Sequence, residues 1–145
     1  MKYTLLYDKP DQDLITRLLH IRNIEDHPDD FFRPNFSCSW GNPFDLHDME
    51  KSVERIICAM KNKEKIMIFG DYDVDGVTSS FILYRFFIKY LKYPHVSIQY
   101  PDRSKDGYGL KSHHLDTIFS KGVRLVITVD NGIASVEEAK HAKKL

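Results

Sequence analysis

The chain has 145 residues, room for one domain with a sizeable core but not comfortably for two. Apolar residues make up 42% and charged residues 29%, the balance of an ordinary globular protein. Lys plus Arg and Asp plus Glu are equal at 21 each, so bulk charge steers the chain neither to DNA nor to an anionic membrane and leaves only a local basic groove for such contacts. No run approaches ~18 apolar residues, and the N-terminal MKYTLLYDKPDQD lacks the apolar segment of a signal peptide, so no membrane partner is expected. The two cysteines, Cys38 and Cys58, match neither a zinc spacing nor a redox Cys-x-x-Cys. The expected setting is reduced and cytoplasmic, with Cys58 a core thiol on the apolar side of its helix.

Leu14, Ile15, Leu18, Leu19 and Ile21 have the spacing of a short amphipathic helix within residues 11–23. Residues 24–47 hold three prolines and the aromatics Phe31, Phe32, Phe36, Trp40 and Phe44, the composition of an ordered loop plastered on a domain. Met49, Val53, Ile56, Ile57 and Met60 then form a helical stripe. From residue 65 the pattern changes. Strand-like runs at 65–69, 95–100 and 123–129 alternate with helical stretches at about 77–92 and 111–121, and a further helix opens near Ser135, a fitting N-cap. Strands and helices in this alternation predict βαβ units: a Rossmann-like α/β fold with a parallel sheet flanked by helices, preceded by a helical and loop extension over residues 1–64 that packs on the core.

Ligands of such sheets bind beyond the carboxyl ends of the strands. Asp71, Asp73 and Asp75 fall there, after the first strand, and so does Asp130, after the third. Acids packed this closely repel one another and are costly to desolvate unless a cation or a proton compensates. Hard carboxylate oxygens suit Mg²⁺ or Mn²⁺, and two such ions can clamp a phosphodiester and activate water. An EF-hand is excluded, because loop position twelve is Ile82 and not a bidentate Glu, and because a strand precedes the triplet. The haloacid-dehalogenase pattern Asp-x-Asp-Gly-Thr, with Asp73 as nucleophile, is the alternative enzymatic reading. It leaves Asp71 unused and meets Val77 where that family has Thr. Between the second and third strands, Arg103 and Lys105 offer charge for phosphates, and Gly107-Tyr108-Gly109 allows close backbone approach to a ligand. The adjacent His113 and His114 point about 100° apart on a helix and read as surface or packing residues, not ligands.

Taken together, the segments Leu19–Ile24, Phe31–Pro34, Asn42–Lys51, Gly70–Ser79, Pro101–Arg103 with Gly107–Leu110, and Thr128–Ile133 resemble the DHH phosphoesterase superfamily, in particular its RecJ-type single-stranded-DNA exonucleases. By that resemblance residues 65–145 are the N-terminal part of a DHH domain. Asp73 and Asp75 are metal ligands, Asp130 is a ligand shared between two ions, and Asp71 is a supporting acid. The implied reaction is metal-dependent release of 5′-mononucleotides from single-stranded DNA, with Mn²⁺ or Mg²⁺ as cofactor. A single-strand-binding protein or a helicase is the implied partner of the full-length protein. Some members carry a metal-binding His four residues before the position of Asp73; here Phe69 stands there. The family's Asp-His-His motif normally follows the position of Asp130, and residues 131–145 do not contain it. The expectation is therefore an N-terminal fragment with part of a metal site, inactive by itself. A DHH-fold scaffold or DNA-binding module without chemistry is the non-enzymatic alternative.

Overall fold

Apolar side chains on both faces of one short strand organise this molecule. In the computed structural model, which describes residues 4, 6–7, 9–24, 26, 28–33 and 41–145, strand β1 (Lys65–Phe69) has four consecutive buried residues, Ile66 to Phe69. A strand so apolar needs cover on both sides, which a parallel sheet between helical layers supplies. β1 pairs in parallel with β2 (Val96–Gln99) on one side and with β3 (Val123–Thr128) on the other, giving the order β2-β1-β3. Ile66 and Ile68 point to one face, into a cluster with Ala59, Phe87, Tyr93 and Val96. Met67 and Phe69 point to the other, against Leu110, Leu115, Ile118 and Val123.

The chain groups into two compact units, Met1–Met49 and Glu50–Leu145. In the first, helix α1 (Leu14–Ile21) starts at Asp13, whose carboxylate accepts from the amides of Ile15 and Thr16. Helix α2 (Pro28–Phe32) sets Phe31 and Phe32 edge to face, and a 3₁₀ turn follows at Pro43–Asp45, capped by Asn42. The expected placements of Phe36, Trp40 and Cys38 lie outside the described residues.

Helix α3 (Met49–Lys61) carries the expected stripe, with Ala59 buried and Val53, Ile56 and Met60 partly so. Ile57 and Cys58 depart from expectation and are exposed. Cys58 is two residues from both Ile56 and Met60, a turn of roughly 200° on a helix, so its thiol faces away from the core. Its Sγ accepts from Asn62 Nδ2 at 3.4 Å.

Helix α4 (Val74–Arg85) starts three residues before the expected position and widens at Phe86–Tyr90 into a turn closed by an i→i+5 bond from Leu91 to Phe86. Helices α5 (Ser112–Ser120) and α6 (Val136–Lys144) complete the unit. Ser135 stands at the N-cap of α6, but its side chain makes no capping bond. No helix among the described residues is long and apolar enough to cross a membrane.

Candidate metal centre at the tip of the sheet

The chain runs from β1 to β2 on one side and then crosses over β1 to β3 on the other. The order therefore reverses at β1, and the crevice of such a sheet opens at the carboxyl ends of the two strands that flank the reversal. β1 and β3 are those strands. Their ends are stitched together: the carbonyl of Phe69 accepts from the amide of Val129 at 3.1 Å and from Asn131 Nδ2 at 3.2 Å. The same Nδ2 also donates to the carbonyl of Val129 at 2.9 Å.

Beyond that stitch lie the acids. Asp71 is buried, only 2% exposed, and its Oδ1 has no hydrogen-bond partner. Asp73 is the N-cap of α4, with Oδ1 accepting from the amide of Gly76 at 2.9 Å. Asp75 lies in the first helical turn, where the helix dipole favours a negative charge. Gly76 is required by contact, because a Cβ there would stand 2.3–2.7 Å from the backbone O, N and C of Asp71. Without a side chain, the first turn of α4 rests directly on the backbone that carries Asp71.

Asp130 arrives from β3 in a left-handed conformation, φ 57°. Such a backbone is strained for most residues and tolerated by Asp and Asn. Partial desolvation raises the Asp130 carboxyl above its ordinary value. The charge of Asp73, its hydrogen-bonding proximity, and the charges of Asp75 and Asp71 push the same way. No ion pair joins any of these four acids to a Lys or Arg among the described residues. Four carboxylates, a buried unpartnered oxygen and a carboxyl pushed toward protonation fit a hard divalent cation.

The loop after β2 crosses the tip of β1 and closes the site from the other side. Gly107 and Gly109 take φ of 69° and 80°, which their lack of a side chain permits. Between them, the Tyr108 hydroxyl donates to the carbonyl of Asp130 at 3.0 Å. Desolvation and then the charges of Asp71, Asp130 and Asp73 raise the Tyr108 phenol above its usual value. Arg103 lies over the ring of Tyr72, its Cζ 5.5 Å from the centroid, so a cation stands beside the acidic strand end. Lys105 instead pairs with Asp102 at 3.6 Å.

The structure thus brings Asp71, Asp73, Asp75, Asp130, Tyr108, Gly107, Gly109 and Arg103 to one end of the sheet. His113 is exposed and His114 is buried, both on α5, and with Asp106 they put ligand atoms within 4.8 Å of one another. Sequence reasoning missed Asn131 as the stitch between strand ends, since Asn-Gly reads first as a turn. It also missed Tyr72 as the shelf for Arg103.

The sequence profile described as "DHH family, N-terminal domain" matches residues 65–145. The single-stranded-DNA-specific exonuclease RecJ of Bacillus subtilis is 44% identical, over 72% of this chain and 13% of its own length. RecJ of Escherichia coli is 36% identical, over 69% of this chain and 17% of its own. A putative SPbeta prophage-derived single-strand DNA-specific exonuclease, YorK of B. subtilis, is 35% identical over 99% of this chain and 24% of its own length. The chain therefore spans less than a quarter of each of these curated relatives. A crystal structure described as exonuclease RecJ bound to manganese superposes with a TM-score of 0.60 at 27% identity, covering 69% of this chain and 25% of that one.

Proposed function

The chain belongs to the DHH family, and from that premise we propose that it serves a RecJ-like, metal-dependent exonuclease hydrolysing single-stranded DNA from a 5′ end. The observation that carries the reading is the meeting of uncompensated acids from β1 and β3 at the reversal point of the sheet, with the Asp130 carboxyl raised by its neighbours. Asp73, Asp75 and Asp130 are the proposed ligands. Bound there, Mn²⁺ or Mg²⁺ supplies activation of water and neutralisation of the phosphodiester charge. Asp71, buried behind them with an oxygen that has no hydrogen-bond partner, is the supporting acid of the cluster. Arg103 and the Gly107-Tyr108-Gly109 backbone hold the phosphate opposite the acids. Single-stranded DNA is the partner this reading requires, delivered in the cytoplasm by a single-strand-binding protein or a helicase. The phospho-Asp73 route has less support, because Asp73 commits one oxygen to the helix cap.

Residues 1–145 contain no Asp-His-His segment, and four carboxylates hold two hard cations weakly, so these residues alone are expected to degrade little DNA. Titration with Mn²⁺ followed by electron paramagnetic resonance tests the site. Saturable binding that disappears in Asp75→Ala and in Asp130→Asn supports it, and no binding by the wild type sinks it. Fluorescent single-stranded DNA with Mn²⁺ tests the chemistry. Robust degradation abolished by Asp75→Ala would overturn the expected inactivity while upholding the nuclease reading.

A further inference from the structure

Tyr108 reaches Asp130 only if the four residues 107–110 are held at both ends, and a single side chain touches both ends. On the entry side, Asp106 closes a turn with Asp102. The amide of Asp106 donates to the carbonyl of Asp102 at 2.8 Å, and Asp106 Oδ2 accepts from the amide of Asp102, also at 2.8 Å. That same Oδ2 lies 3.0 Å from His114 Nε2, approached obliquely, while Oδ1 lies 3.0 Å from His113 Nε2. On the exit side, the amide of Lys111 donates to His114 Nδ1 at 3.1 Å, the backward half of a capping box at the start of α5. His114 itself is 5% exposed and packs on Phe69, the last residue of β1, with ring centroids 5.1 Å apart.

Hydrogen positions follow from this arrangement. Nδ1 accepts from an amide, so the ring hydrogen of the neutral imidazole sits on Nε2, which lies 3.0 Å from the Asp106 carboxylate at an angle too oblique for a well-formed hydrogen bond. A cation at the three-residue cluster would need the Nε2 lone pair, which this tautomer does not offer. The cluster is thus arranged as a clamp and not as a second metal centre.

We propose that His114 is a positioning residue for the phosphate-facing loop, bridging Asp106 to Lys111 so that Gly107-Tyr108-Gly109 is presented to the carboxylate cluster. The structural part stands on these contacts alone; its consequence for DNA rests on the nuclease reading above.

Two substitutions each keep half of the bridge. His114→Asn retains an acceptor near the Nδ1 position and loses the Nε2 donor, whereas His114→Gln retains a donor near Nε2 and loses the acceptor for Lys111. Amide hydrogen exchange followed by NMR should give a reciprocal pattern. In His114→Asn, Asp102 and Asp106 exchange about tenfold faster while Lys111 stays protected, and in His114→Gln the reverse holds, with β1 and β3 unchanged in both. Equal loosening in both variants would reduce His114 to packing and overturn the proposal. So would protection that appears only with added Zn²⁺ or Mn²⁺ and vanishes in EDTA.

A second readout is affinity for a 5′-phosphorylated oligodeoxynucleotide in Mn²⁺. We expect it to weaken about tenfold in His114→Asn, with no further loss when Tyr108→Phe is added, because both act through the same loop. Additive losses would overturn the link to Tyr108. A wild type that binds no DNA while showing the reciprocal exchange pattern would refute the nuclease reading and leave the clamp intact.

Discussion

Two clusters of ionisable side chains lie near the tip of the sheet, and they have opposite characters. At the ends of β1 and β3, Asp71, Asp73, Asp75 and Asp130 gather with no ion pair to Lys or Arg among the described residues, and the Asp130 carboxyl is raised. In the neighbouring loop and helix, Asp106 receives His113, the amide of Asp102 and the adjacent His114 Nε2, and its carboxyl is lowered to about 2, chiefly by the His114 ring 3.0 Å away. That cluster supplies Asp106 with donors from its own loop and helix, although the buried His114 Nε2 makes no well-aligned hydrogen bond. The four-carboxylate cluster costs stability and becomes favourable only when something positive arrives. Proximity of titratable groups therefore does not mark a binding site by itself; uncompensated charge does.

Gly76 is where the acid cluster depends most on close packing. Gly76→Ala drives a Cβ into the backbone of Asp71 and should destabilise the protein by about 2–4 kcal/mol, measured by chemical denaturation, with loss of Mn²⁺ binding. An unchanged midpoint would mean that α4 does not rest on the acid-bearing strand end.

Mn²⁺ at a hundredfold excess over its dissociation constant should stabilise the wild type by about 2.7 kcal/mol, and it should do nothing for Asp130→Asn. Without metal the sign reverses. Asp130 binds its proton more tightly folded than unfolded, so at neutral pH its charge opposes folding, and that cost fades as pH falls through the raised folded value. Asp130→Asn should accordingly melt above the metal-free wild type at pH 7 and converge with it in acid.

Asp106 should behave in the opposite way. Its carboxyl titrates at about 2 when folded and near 3.8 when unfolded, so its stabilisation is complete above the unfolded value and is lost as pH falls toward 2. Asp106→Asn should therefore be less stable than the wild type at neutral pH, with the gap closing between these two values in acid melts. A gap independent of pH would show that its charge is not what the loop uses.

Smaller still, Tyr108→Phe removes one hydrogen bond at an exposed phenol and should destabilise only slightly, while leaving the acid dependence of Asp106→Asn intact. Cys58→Ser, on the exposed side of α3, is the control and should stay within about 0.5 kcal/mol of the wild type.

Much of the fold was legible because it is written locally. Ile66–Phe69 and Leu125–Thr128 are short runs dominated by apolar and β-branched residues, and the intervening stretches have helical period, so three strands and their helices fall within a few residues of expectation. Boundaries drifted where a side chain sets them. α4 begins at Val74 and not near residue 77 because Asp73 caps it, which brings Asp75 into the first helical turn. Cys58 was misjudged because an apolar stripe of five positions leaves the exact facing of a neighbour undetermined, and Ile57 faces outward with it.

By itself, then, the sequence determined a parallel α/β sheet, an acidic triplet after β1, an aspartate after β3 and a glycine-flanked tyrosine between them, since each depends on residues adjacent along the chain. Only the tertiary structure decided that β3 lies beside β1, so that Asp130 meets Asp73 at the reversal of strand order. It alone turned His114 inward to join both ends of the tyrosine loop. Strand order follows from covering both faces of β1, and a side chain's facing follows from the packing of whole elements. Both are set by contacts between residues distant in sequence, which no local pattern records.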